Sequence, residues 1–107
     1  MRAFYLRCLL LFLILGAGRT MVVAQKAANN DKLALQYYEQ KEFEKANVYF
    51  EQLFDRNPNT WFPYYYKSLL GARDYDRAEK VTKKHLRYNK YDVYLYVYLG
   101  RIYQLKE

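Results

Sequence analysis

Phe43-Glu44-Lys45-Ala46 returns 32 residues later as Tyr75-Asp76-Arg77-Ala78, an aromatic residue and an alanine three apart in both places. A further pattern, Tyr96-Val97-Tyr98-Leu99-Gly100-Arg101-Ile102-Tyr103, sets aromatic residues at either end of a leucine and a glycine. Self-similarity at this period marks a solenoid, in which each unit is one helix pair that buries its apolar face only against a neighbour. The recurrence predicts a binding scaffold rather than a reaction centre.

Working outward, each copy reads as a helical hairpin. Asn30 or Asp31 is placed to cap a first helix through Leu33, Ala34, Tyr37 and Tyr38, since either side chain can accept from a free N–H of the first turn. Gln40-Lys41-Glu42 is the turn. A second helix carries Phe43, Ala46, Tyr49, Phe50, Leu53 and Phe54 at steps of three and four and stops at Asn57-Pro58, because proline disfavours helical geometry in the preceding residue. The next helix starts at Asn59-Thr60 with Pro63 in its first turn, carries Tyr64, Tyr65, Tyr66, Leu69 and Leu70, and ends near Gly71, the residue suited to a left-handed cap. Asp74 caps a fourth helix with Tyr75, Ala78, Val81, Leu86 and Tyr88. Val93 to Leu99 has the β-branched and aromatic content of a strand. Repetition decides for a helix, because a lone strand would have no partner.

The N-terminal residues precede this pattern. Arg2 and Arg7 form a positive region, Cys8 to Leu15 an apolar stretch, and Val22-Val23-Ala24 a small-residue cleavage site, so 1–24 reads as an export signal, 25–30 as a linker and 31–107 as the repeat domain. The apolar run is far shorter than the roughly 20 residues a spanning helix needs. An uncleaved N-terminal anchor is the alternative. The only cysteine, Cys8, lies in the signal, so the exported part relies on packed helices instead of disulfides. No Asn-x-Ser/Thr acceptor is present, which fits a bacterial envelope or periplasmic protein better than a glycosylated ectodomain. Of the net charge of +7, three positive charges (Arg2, Arg7 and Arg19) belong to the signal; the remaining +4 does not argue for nucleic acid.

The repeats resemble the tetratricopeptide family. Tyr96-x-x-Leu99-Gly100-x-x-Tyr103 matches the family's first-helix signature, and Phe43 with Ala46 and Tyr75 with Ala78 match the second-helix aromatic and alanine; Leu33, Ala34, Tyr37, Phe50 and Pro58 fill the other places in the first unit. The resemblance implies an all-α fold, an α-α superhelix of antiparallel helix pairs with about two and a half repeats: 27–58, 59–92 and an incomplete 93–107. Small residues (Ala34, Ala46, Ala78, Gly100) would let helices approach while Tyr37, Phe43, Phe50, Tyr75 and Tyr103 fill the surrounding volume. The second unit departs from the pattern. Tyr66 stands where a small residue is expected, Lys90 where a proline often sits, and the spacing is two residues shorter than the usual 34.

In such a fold the first helices of successive units line a concave groove, and the resemblance places Leu35, Tyr38, Lys67, Leu70, Arg101 and Gln104 on that surface. Apolar, aromatic and cationic together, they suit a peptide with apolar side chains and some negative charge. Asp31, Leu35, Tyr64 and Tyr98 occupy the places where some relatives grip a C-terminal carboxylate, which argues against a chaperone-tail receptor. Most of the 14 tyrosines read as repeat core, with Tyr38, Tyr64 and Tyr94 the better candidates for exposed contact.

Arg73, Arg77, Lys80, Lys84 and Arg87, with Lys83 beside them, follow helical spacing along one face of the fourth helix. They could meet anionic lipid or polysaccharide, but a solvated outer face is the simpler reading. His85 is the only histidine and Ser68 the only serine, so a nucleophile–base pair has little material, and a metal site would have to rest on His85 with carboxylates such as Glu79. The chain is thus expected to be non-catalytic and without cofactor or metal, its partner a protein or peptide and not nucleic acid. The competing expectations are a basic module for anionic surfaces and an accessory module of a larger exported enzyme. Apolar residues lie on several sides of the last segment (Val93, Leu95, Val97, Leu99, Ile102 and Leu105). They predict that residues 93–107 meet either a continuation of the chain beyond Glu107 or another chain in a homo-oligomer.

Overall fold

A computed structural model describes residues 29–107; the export signal expected at 1–24 and residues 25–28 of the expected linker lie outside the described residues. Among the described residues five helices follow in order: α1 (29–39), α2 (Phe43–Arg56), α3 (Pro58–Gly71), α4 (Tyr75–Tyr88) and α5 (Val93–Lys106). The fold is all-α, with each helix packed on the next, as helical repeats require.

The repeat is visible in the backbone. At the α1–α2 turn the N–H of Lys41 donates to the carbonyl of Tyr38 and the N–H of Glu42 to that of Tyr37. At the α3–α4 turn Arg73 donates to Leu70 and Asp74 to Leu69. Every residue in the second set is 32 positions after its counterpart. Both turns are Schellman closures that satisfy the last helical carbonyls and hold one residue in the left-handed region, Lys41 at φ 61° and Arg73 at φ 58°. The caps Asn57 and Asn89, also 32 apart, leave α2 and α4 by similar backbone geometry, φ −143° with ψ 81° and φ −135° with ψ 56°. After them the copies diverge: α3 starts at once on Pro58, whereas Lys90-Tyr91-Asp92 precede α5, whose cap Asp92 accepts from the N–H of Tyr94 at 3.1 Å. The longer link changes the offset between α3 and α5 to 34.

Several local expectations are corrected. The helix already includes residues 29 and 30, so Asn30 and Asp31 lie within α1 and do not cap it, and the linker is shorter than 25–30. Pro58, not Pro63, holds the first-turn position where a missing N–H costs nothing; Pro63 is the sixth residue of α3 and leaves the Asn59 carbonyl without its intrahelical donor. Gly71 ends α3 as a helical residue, and Arg73 takes the left-handed position instead. Gly71 is needed for space: a Cβ there would lie 2.5 Å from Cδ2 and Cε2 of Phe43. Asp74 does cap α4, accepting from the N–H of Arg77 at 3.3 Å, and residues 93–106 are helical, not strand.

The core is a run of aromatic contacts crossing the helices. Phe50 of α2 meets Tyr38 of α1 and Trp61, Tyr64 and Tyr65 of α3; Phe54 meets Phe62, Tyr65 and His85; and Phe62 and Tyr66 meet Tyr98 of α5. Burying each ring contributes about 1.5–3 kcal/mol, and edge or offset geometry adds to that. Tyr66 goes with a reversal of residue size at repeat-equivalent positions. The first unit has wholly buried Ala34 and Phe50; 32 residues on, the same positions hold Tyr66 and Thr82, large and small reversed. Thr82 covers its own hydroxyl by donating to the Ala78 carbonyl at 2.7 Å.

Candidate functional site

The six residues expected to line a groove fall on three helices at repeat-equivalent positions. Leu35, Lys67 and Arg101 form one row across α1, α3 and α5, and Tyr38, Leu70 and Gln104 the other, with offsets of 32 and then 34. The three helices are joined through neighbouring rings: Tyr38 meets Tyr64 edge-on with centroids 6.0 Å apart, and Tyr66 lies 4.7 Å from Tyr98 and donates its hydroxyl to the Tyr98 carbonyl at 3.3 Å. Lys67, Arg101 and Gln104 are exposed; Leu35, Tyr38 and Leu70 are half-buried. Tyr38 is the least free of the six, because its ring also packs on Phe43 and Phe50. Burial pushes the Tyr66 hydroxyl above the usual phenol range, with the Arg101 guanidinium working against the rise.

Of the other tyrosines singled out in the sequence, Tyr64 stacks on Phe50 and is only partly exposed, while Tyr94 is open to solvent. Tyr96 and Tyr103, expected inside, are 54% and 44% exposed. Tyr96 lies on a side of α5 that no described helix covers, while Tyr103 at its border reaches Glu79 of α4 through its hydroxyl.

The basic stripe on α4 is partly neutralised. Arg77 approaches Glu51 and Asp74, each at 3.8 Å, Lys84 approaches Asp55 at 3.4 Å, and Lys83 meets Glu79 at 2.9 Å. Arg77 and Lys84 thus tie α4 to α2. Arg73, Lys80 and Arg87 have no ion-pair partner among the described residues.

Two clusters were not legible in advance. Glu79 accepts from Tyr103 Oη at 2.9 Å and from Lys106 Nζ at 2.8 Å, and Lys106 also reaches Asp76 at 2.7 Å, locking α5 to α4. Hydrogen bonds from Lys106, Lys83 and Tyr103 pull the Glu79 carboxyl down to about 2; in return Asp76 and then Glu79 raise Lys106, and Glu79 raises Lys83. His85 is buried at 6% exposure in the seat that Leu53 holds in the first unit, stacked 4.6 Å from Phe62 and edge-on to Phe54. Its Nδ1 has no partner among the described residues, and burial lowers its pKa. A recurring core position that changes from leucine to histidine was the available signal.

Glu79 is committed to α5, so it does not join His85 in a ligand set; among the described residues no group of three His, Cys, Asp or Glu could hold a metal ion. A cleft of about 390 Å³ opens at the hairpin turns between Phe43, Gly71 and Arg73, and one of about 340 Å³ lies between Phe54, Pro58, Lys84 and His85. Neither takes in the groove residues. No helix among the described residues is long and apolar enough to cross a membrane. No family profile, curated protein or solved structure matches the chain.

Proposed function

We propose that the chain is a non-catalytic scaffold of the cell envelope that receives a protein or peptide across the inner helices α1, α3 and α5, in the manner of tetratricopeptide repeats. The observation that carries this reading is the two-row register Leu35–Lys67–Arg101 and Tyr38–Leu70–Gln104, which repeats the same positions on α1, α3 and α5, the first helices of successive units. One row ends in two exposed cations and the other opens on half-buried apolar groups, a combination suited to a segment with apolar side chains and acidic neighbours. The envelope location rests on the export signal read at 1–24.

Affinity capture from envelope fractions tests it. Lys67→Glu with Arg101→Glu changes only exposed groups, so the fold survives and a genuine groove partner is lost. Tyr38→Ala, added to Lys67→Glu, removes an apolar contact as well, with circular dichroism checking that Phe50 keeps its packing. A partner retained by all these variants sinks the groove.

The unpaired cations Arg73, Lys80 and Arg87 support a second reading, contact with anionic lipid or polysaccharide. It requires binding to anionic vesicles or acidic glycans that weakens steeply with salt. No binding at low salt removes it.

A further inference from the structure

The repeat offsets identify which side of α5 faces backward and which forward. Trp61, Tyr64, Tyr65 and Ser68 turn α3 toward the preceding unit; Phe50 touches the three aromatics, and Asn47 donates to the Ser68 carbonyl. Thirty-four residues on stand Leu95, Tyr98, Leu99 and Ile102, which are buried or half-buried against α3 and α4. The opposite side of α3, with Phe62, Tyr66 and Leu69, is closed by α4 and α5 and is at most 4% exposed. Its counterparts are Tyr96, Gly100 and Tyr103. A Cβ on Gly100 would meet nothing within 4 Å, and with Val93 and Val97, 71% and 62% exposed, these residues make one apolar stripe. The small residue at its centre occupies the position of Ala34, which is wholly buried.

The charges flanking the stripe state what would fit. Where α4 lies beside α2, the acids Glu51 and Asp55 on α2 receive the cations Arg77 and Lys84 on α4. One repeat later, the counterparts of Glu51 and Asp55 are Lys83 and Arg87. The forward edge of α4 therefore carries cations where α2 carries acids: Lys83, which Glu79 already holds at 2.9 Å, and the unpaired Arg87, with Lys80 beside them. A helix laid there like α4 on α3 would have to carry acids at the two positions where α4 carries cations.

We infer that the open stripe of α5 and the cationic edge of α4 form a docking surface for an amphipathic helix of a partner protein, with a small residue facing Gly100 and acidic side chains seven residues apart over Lys83 and Arg87. This surface is independent of the inner rows and of whatever occupies them. Exposed ion pairs discriminate modestly, so the apolar stripe supplies attachment and the charges select the partner.

The test uses the full chain and two capped, fluorescently labelled peptides: the α4 sequence Tyr75–Tyr88 unaltered, and the same sequence carrying Arg77→Glu and Lys84→Glu. Anisotropy should show the acidic peptide binding about tenfold more tightly, as two exposed pairs gained and two repulsions relieved would give. Gly100→Leu, which extends into open space and so spares the fold, should weaken it by about tenfold or more by holding the helices apart. Arg101→Glu, on the inner row, should leave it unchanged. Equal affinity of the two peptides, or none for either, overturns the proposal. So does self-association of the unliganded chain in sedimentation that Gly100→Leu abolishes, since the stripe would then belong to a second copy.

Discussion

Gly71 at the end of α3 and Phe43 at the start of α2 approach so closely that a single added carbon on the glycine would sit 2.8 Å from Cγ of the ring and nearer still to its edge. The contact fixes how the two hairpins meet, because α2 and α3 run antiparallel with these residues at one end of their interface. Gly71→Ala should destabilise by about 1–2 kcal/mol: overpacking costs about 1–3 kcal/mol, and the better helix propensity of alanine offsets part of it. In a Phe43→Ala background the same change should become neutral or favourable. Thermal denaturation of the four proteins decides it, and a cost that persists without the ring would refute the steric cause.

Thr82 and Tyr66 should be coupled. Thr82→Phe alone overfills the second unit and Tyr66→Ala alone empties it, each at a cost of about 2–4 kcal/mol. Together they restore the small-and-large order of Ala34 and Phe50, and the double variant should recover at least about 1 kcal/mol relative to the sum of the singles. Strict additivity in urea denaturation would show that the two positions do not share a volume.

Arg73 and Lys41 hold left-handed backbone with ordinary side chains. Glycine relieves roughly 1–2 kcal/mol of strain there and returns part of it as chain entropy in the unfolded state. Arg73→Gly should therefore raise stability by about 0.5–1 kcal/mol, with Lys41→Gly similar. A fall in midpoint for both would mean that their side chains contribute more than their backbone costs.

Glu79 ties α4 to α5 only while ionised. Its carboxyl is held at about 2, below its ordinary value of 4.5, so the stabilisation is present above the ordinary value and is lost as pH falls through the lowered one. Glu79→Gln should be less stable than the parent at neutral pH, and the two denaturation midpoints should converge near pH 2. A gap that stays constant down to that pH would contradict the ion-pair account.

His85 loses stability in a different window. Burial favours the neutral ring and lowers its pKa from 6.5, so the unfolded chain takes up a proton first and stability begins to fall as pH drops below 6.5. Asp92 works weakly the other way. His85→Leu restores the residue type of Leu53 in the equivalent seat and should flatten the stability profile between about pH 5 and 6.5, where histidine titrates. An unchanged slope there would assign the acid sensitivity to other groups.

Helix identity was legible because it is local and repeated. The Phe43/Ala46 and Tyr75/Ala78 copies, Pro58 after Asn57 and the cap at Asp74 announce themselves in residue order. The repeat-equivalent positions on α1, α3 and α5 followed from the same register, though not how far Tyr38 is drawn into the core by Phe43 and Phe50. Pro63 and Gly71 were misplaced for one reason: residue type states which conformations are permitted, and the neighbours choose among them. Gly71 is permitted a left-handed φ but is required for its missing Cβ, and the requirement comes from a ring 28 positions earlier.

Residue order is enough to specify recurring helical hairpins over residues 29–107, since periodicity and turn chemistry act over a few residues. Tertiary structure alone decided what lies across the helices: the burial of Tyr66 and Thr82, the binding of Glu79 to Tyr103 and Lys106, the seat of His85 against Phe62, and the side of α5 left open. Such pairings depend on how side chains from distant positions share one space. That sharing is a property of packing, and no single helix contains it.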